Sequence, residues 1–212
     1  MALAARRKGL MRYFFCFLVV FSINFSASSA DLSFEKLPYN KTIKENILSG
    51  EVFSESRVEN TKDGLSSNQS LQFSIAGLHP KSCDYALKKL SLYEEYSTYL
   101  DFVKVSNYNE SKQEIDFFIE HSLLPYRMEL TFLLPRVRTV GSYPFTFQVG
   151  ILKDLKGIIY VGKHKDRCLF YTTAKWKGPH TGIPGFILEI FSQTLSKISM
   201  ELLFRISSNL AH

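Results

Sequence analysis

Histidine and cysteine are too sparse and too scattered in this 212-residue chain to build a metal centre. The five histidines, His79, His121, His164, His180 and His212, include no close pair of the kind a zinc site uses. No glycine-rich phosphate loop and no G-x-S-x-G elbow occurs, since Gly182 and Gly185 merely bracket Pro184. Metal, cofactor and catalytic residues are therefore assigned as none. A nucleophile at Cys83 or Cys168 competes with the simpler reading of a packed thiol, the usual fate of a lone buried cysteine. Acid–base work by Asp116, Glu120 or Glu129 would need an inward side chain. Asp116 and Glu120 share a strand face with Phe118, which leaves their side open, and solvent exposure is expected of both. The chain also lacks internal repeats and low-complexity tracts.

Negative charge is missing from the first 30 residues, which hold Arg6, Arg7, Lys8 and Arg12 but no Asp or Glu. The rest carries 22 basic and 20 acidic residues, so the overall +6 falls to +2, which is no nucleic-acid footprint. The same segment continues with an apolar run from Tyr13 to Phe25 and small residues at Ser26–Ala30. This is the pattern of a cleaved secretory signal. The run is short for a membrane span, which needs about 20 residues. The expected organisation is a signal peptide at 1–30, an N-terminal arm at 31–50, a folded domain at 51–208 and a tail at 209–212. Export to a bacterial periplasm is expected, with eukaryotic secretion as the alternative. Cys16 falls in the apolar run; the mature chain keeps Cys83 and Cys168, a disulfide pair or two buried thiols.

What remains is rich in phenylalanine and tyrosine, 18 and 11 residues, which favours strands. Residues 31–50 read as a loose arm or a short helix ending at Gly50. Asn60–Gly64 reads as a turn between a weak strand and a stronger one at Leu71, Phe73 and Ile75. Spacing from His79 to Tyr96 becomes helical, with a break near Ser91. Strands then follow around Phe102–Tyr108, Ile115–Ile119, Tyr126–Phe132, Phe145–Val149, Ile158–Val161 and Cys168–Trp176. Pro184–Ile206 predicts one long helix with Leu188, Phe191, Leu195, Ile198 and Leu202 on its buried side. Glu189, Ser192, Gln193, Ser196 and Lys197 fall opposite. Strands joined by short turns, with helices kept apart from them, imply an α+β fold on an antiparallel sheet.

Three stretches carry a resemblance. LQFSIAG followed by HPKSCDYALKKLSLYEEYSTYLDFV is similar to the first strand and paired helices of the START-like, or SRPBCC, helix-grip superfamily. DRCLFYTTAKWKG resembles its final strand, and GIPGFILEIFSQTLSKISMELLFRI its closing helix. The polyketide-cyclase and coenzyme Q-binding-like members are the nearest in kind. The resemblance spans residues 50–208 and rests on fold order, since the superfamily has no invariant catalytic motif. It implies a START-like or Bet v 1-like architecture, a curved antiparallel sheet wrapped around the C-terminal helix with an apolar cavity between them.

The expected cavity lining is Tyr126, Met128, Leu130, Phe132, Phe145, Phe147, Ile158, Tyr160, Phe170, Thr172, Leu188, Phe191, Leu195 and Ile198. Arg127, Arg136 and Arg138 are expected in a solvated connection, with an acidic ligand headgroup as the alternative. The function expected is that of an exported binding protein for a lipid, quinone or similar hydrophobic molecule. Its partners would be that small molecule or lipid and, transiently, a membrane, with no nucleic acid. An enzyme on the same scaffold and a ligand-free interaction domain with a filled core are the competing readings.

Overall fold

The computed structural model describes residues 32–63, 66–122 and 127–209. In chain order it contains α1 (Lys41–Ser49), β1 (Phe53–Asp63), β2 (Ser66–His79), α2 (Cys83–Leu90), α3 (Tyr96–Tyr99), β3 (Val103–Asn109) and β4 (Glu114–Ile119). β5 (Met128–Leu133), β6 (Gly141–Val149), β7 (Lys156–His164), β8 (Arg167–Pro179) and α4 (Gly185–Asn209) follow. The eight strands form one antiparallel sheet in the order β1-β2-β8-β7-β6-β5-β4-β3. The last strand returns to pair with the first hairpin, and α2 and α3 carry the chain from β2 to the far edge at β3. With α4 packed on this sheet, the molecule has the helix-grip α+β architecture.

Alternation sets the two faces of the first hairpin. Leu71, Phe73 and Ile75 of β2 point inward, while Ala76 and Leu78 pack outward. The turn composition of Asn60–Gly64 is overridden through Asp63, which still pairs with Ser66. Cross-strand chemistry explains the extension. Gln69, directly opposite Asn60 and almost wholly buried, donates from Nε2 to Asn60 Oδ1 at 3.0 Å.

The N-terminal arm takes the helical alternative. Asn40 caps α1 by accepting from the Ile43 N–H at 3.0 Å, and Gly50, at φ 104°, ends it in the left-handed region. Phe34, Leu37, Tyr39 and Ile47 then bury against Ala76, Leu78, Leu169 and Tyr171 on the outer face of the sheet. A Cβ at Gly162 would stand 2.6 Å from the Leu32 carbonyl oxygen, so glycine lets the arm lie flat there.

Ser82 caps α2, and Ser91 ends it where the sequence predicts a break. Cys83, the first residue of α2, is joined by a disulfide to Cys168 of β8, both sulfurs lying within the core. Of the two expectations for these residues, the bridge is the one found. No helix among the described residues is long and apolar enough to cross a membrane.

Candidate ligand cavity

The position of α4 decides where space is left. Its serine side, expected opposite the buried stripe, instead lies along edge strand β1. Glu189 Oε2 accepts from the Val58 N–H at 3.0 Å, and Gln193 Nε2 donates to the Ser54 carbonyl at 2.9 Å. Ser192 and Ser56 share a hydrogen bond of 2.6 Å, and Ser196 and Ser54 one of 3.0 Å. Free backbone groups of an edge strand need polar partners, and this helix supplies them. Gly185 permits the approach, since a Cβ there would be 2.9 Å from Asn60 Nδ2. Further along, Gly77 of β2 makes room for Met200 and Phe204.

This rotation corrects the expected stripe. Leu188 and Leu195 are buried, but Ile198 is 39% exposed, and Phe186 and Ile190 are more so. Apolar residues occur almost all round this helix, so periodicity alone did not fix its inward side.

Between α4, the α2–α3 segment and the sheet lies a cavity of about 270 Å³, partly open to solvent, with almost wholly apolar walls. Ile75, Thr172 and Ile159 form one row of its floor, paired across β2, β8 and β7. Phe73 and Phe170 extend that floor. Leu87 and Leu90 of α2, Tyr93 in the 3-10 turn Tyr93–Glu95, and Tyr96 of α3 form one wall. Ser196, Ser199, Met200, Leu203 and Phe204 of α4 form the other, and Val137 completes the lining.

The two tyrosines are fixed by the backbone. Tyr93 donates to the Pro135 carbonyl at 3.2 Å and accepts from the Val137 N–H at 3.0 Å; Tyr96 donates to the Leu90 carbonyl at 2.6 Å. Burial pushes both phenols well above their ordinary pKa. Behind Phe204, fully buried His79 donates from Nε2 to Ser207 Oγ at 2.9 Å, while its Nδ1 accepts from the Lys81 N–H at 3.1 Å. Burial, helped by the charges of Lys81 and Arg167, lowers its pKa to about 4.

The expected lining residues divide. Phe170 and Thr172 line the cavity. Met128, Leu130, Phe147 and Phe191 pack around Ile119 in a separate cluster. Phe132 stacks on Phe147, with ring centroids 5.1 Å apart, and Phe145 lies beside them, so these rings fill space next to the cavity. Leu188 packs with Leu71 and Trp176, and Leu195 is buried without reaching the lining. Ile158 and Tyr160 belong to the outer side of β7: Tyr160 stacks on Tyr171 under the N-terminal arm, and Ile158 borders an outer groove with Thr173. Tyr126 and the N-terminal segment 1–30 lie outside the described residues. The α2–α3 and late α4 residues were missed, although their helical spacing was visible as a buried pattern.

Arg136 is largely buried rather than solvated as expected, with its side chain 11% exposed. It stacks over Tyr108 at 4.3 Å and bonds Glu94, Glu110 and the Ser91 carbonyl. Arg138 pairs with Glu110, and Arg127 with Glu120, in more exposed settings. Asp116 accepts from Thr131 Oγ1 at 2.6 Å. Among the described residues no group of three His, Cys, Asp or Glu side chains is placed to hold a metal ion.

Comparison with protein-family models and with curated protein sequences gives no match. Solved structures do match. A START superfamily protein from Mycobacterium smegmatis superposes with a TM-score of 0.51 at 12% identity, covering 66% of this chain and 99% of that one. Ara h 8.0201 gives 0.50 at 10% identity, with 66% and 99% covered. XoxI from Bacillus cereus gives 0.50 at 9% identity, with 66% and 98% covered. The chain therefore has the START-like, SRPBCC helix-grip fold, shared with Bet v 1-like proteins.

Proposed function

We propose that this is an exported protein that holds a hydrophobic small molecule between its sheet and C-terminal helix. The observation that carries the reading is the apolar cavity of about 270 Å³. A concave, mostly apolar site with few polar groups is the usual form of a small-molecule pocket. The disulfide Cys83–Cys168 fits an oxidising compartment, in keeping with the secretory pattern of residues 1–30 and with a bacterial periplasm. Binding is favoured over catalysis by the lining itself. Among the described residues it contains no carboxylate, imidazole or amine, and its two phenols are tied to backbone carbonyls. General acid–base chemistry needs a titratable group within reach of a proton-transfer partner.

Protein purified without detergent should release an apolar compound into organic solvent, detected by mass spectrometry, and the emptied protein should take up small apolar fluorescent probes. Absence of both would sink the reading.

A further inference from the structure

We propose that the outer face of β7 and β8 docks on a membrane surface of anionic phospholipid, through Lys156, Lys175 and Lys177. The proposal goes beyond the cavity reading and does not depend on it.

Strand register builds the patch. Lys156 and Lys175 are direct partners across β7 and β8, and Lys177 follows Lys175 two residues on, so all three share one face. That face is the outer one, because Tyr160 and Tyr171 stand at the same parity and stack beneath the N-terminal arm. All three lysines are exposed, and none has an ion pair or hydrogen bond among the described residues. Like charges directly opposite each other on a sheet repel.

The carboxylates of the outer face do not relieve this repulsion. Arg57, in line with Lys175 through Gln72, is paired with Glu59 at 2.9 Å, and Glu55 accepts from Ser74 at 2.8 Å. Glu114, Asp116 and Glu129 belong to β4 and β5, at least two strands from β7. Asp154, in the turn ahead of β7, has no ion pair among the described residues. An anionic surface outside the chain supplies the missing charge.

Two further observations select a membrane among anionic partners. Lys156 and Lys175 line one open outer groove together with Pro144 and Ile158, so cations adjoin apolar surface. Phosphates and acyl chains adjoin in the same way at a bilayer interface. The chain also enters the fold on this face. Leu32 lies over Gly162 of β7, and the apolar run that ends at Phe25 is seven residues ahead of it. Seven residues reach about 25 Å at most. On the secretory reading of residues 1–30, the segment inserted during export therefore brings this face to the membrane. The cavity, on the other side of the sheet, then faces away from the bilayer.

The test is flotation of the mature protein, from Asp31, with vesicles of mixed phosphatidylglycerol and phosphatidylcholine, and with phosphatidylcholine alone. Wild type should bind the anionic vesicles, ignore the neutral ones and be released by high salt. A lysine near an anionic leaflet is worth about a fivefold gain in partitioning, so Lys156→Gln/Lys175→Gln/Lys177→Gln should weaken binding about a hundredfold. This variant should melt no lower than wild type, since it removes a repulsion. Lys88→Gln/Lys104→Gln/Lys112→Gln has the same net charge and should keep most of the binding. A polarity-sensitive fluorophore on Pro144→Cys should shift to the blue on anionic vesicles, and one on Lys197→Cys of α4 should not.

No binding, or equal binding to both kinds of vesicle, would overturn the proposal. Equal losses in the two triple variants would reduce the effect to net charge and overturn the patch. Binding to heparin without binding to vesicles would give the face to a soluble polyanion and overturn the membrane assignment. Equal shifts at Pro144→Cys and Lys197→Cys would overturn the orientation. Uptake of apolar probes is measured separately, so the cavity reading stands or falls on its own result.

Discussion

At the scale of single residues, the sharpest feature is a histidine kept neutral by its surroundings. His79 is fully buried, and its pKa falls from 6.5 to about 4. Between those values the unfolded chain binds a proton that the folded chain refuses, so acid favours unfolding. The contribution of His79 to stability is complete above pH about 6.5 and is lost as the pH falls towards 4, by about 3 kcal/mol in all. Urea unfolding midpoints measured from pH 7 to pH 4.5 should show this decline, and His79→Gln should flatten it. An unchanged slope in the variant would assign the acid sensitivity to other groups. The histidine could be read in the sequence only as one unpaired with any metal partner. Its burial depends on Ser207 and Phe204, more than a hundred residues away, and no local pattern reports such a contact.

At the scale of elements, α4 does two jobs that compete for its faces. One side closes the sheet edge with Glu189, Ser192, Gln193 and Ser196, and an adjacent side lines the cavity with Met200, Leu203 and Phe204. Glu189→Ala should remove the acceptor of the Val58 N–H and cost about 1 kcal/mol. Because it also frees part of an edge strand, concentration-dependent association should rise, as read by light scattering. Truncation should separate the two packing environments. Leu195→Ala leaves a new void at a buried position outside the cavity lining and should cost about 2–4 kcal/mol, whereas Met200→Ala enlarges an existing cavity and should cost about 1–2 kcal/mol. Equal losses in chemical denaturation would argue against that distinction. The strand order was legible, because Leu71, Phe73 and Ile75, or Met128, Leu130 and Phe132, alternate cleanly with polar neighbours. The register of β7 was not. Ile158, Ile159, Tyr160 and Val161 are all apolar, so parity carries no signal, and the arm that covers Tyr160 makes both faces buried. The cavity was half legible for a related reason: hydrophobic patterning marks what is withdrawn from water and is silent on whether the space is filled. The aromatic residues Phe132, Phe145 and Phe147 are as apolar as Phe73 and Phe170, yet only the latter pair meets the void.

At the scale of the whole molecule, the disulfide and the N-terminal arm hold the sheet from opposite faces. The bridge ties α2 to β8 across 85 residues of sequence. Closing a loop of that length in the unfolded chain is worth about 4–5 kcal/mol on the chain-entropy account. The double variant Cys83→Ser/Cys168→Ser should therefore unfold at a much lower urea midpoint than wild type, and a reducing agent should have no further effect on it. Since α2 also supplies Leu87 and Leu90 to the cavity, weaker retention of a bound probe should accompany the loss of stability. The arm has a different consequence. Leu32 meets the outer surface of β7 at Gly162, on the side of the sheet away from the void. A surface linker joined ahead of Leu32 would leave from the back of the molecule, so protein immobilised that way would keep the cavity side of the sheet turned to the sample. The same linker placed after α4 would pull on the helix end that carries Phe204, and so would load one wall of the cavity directly.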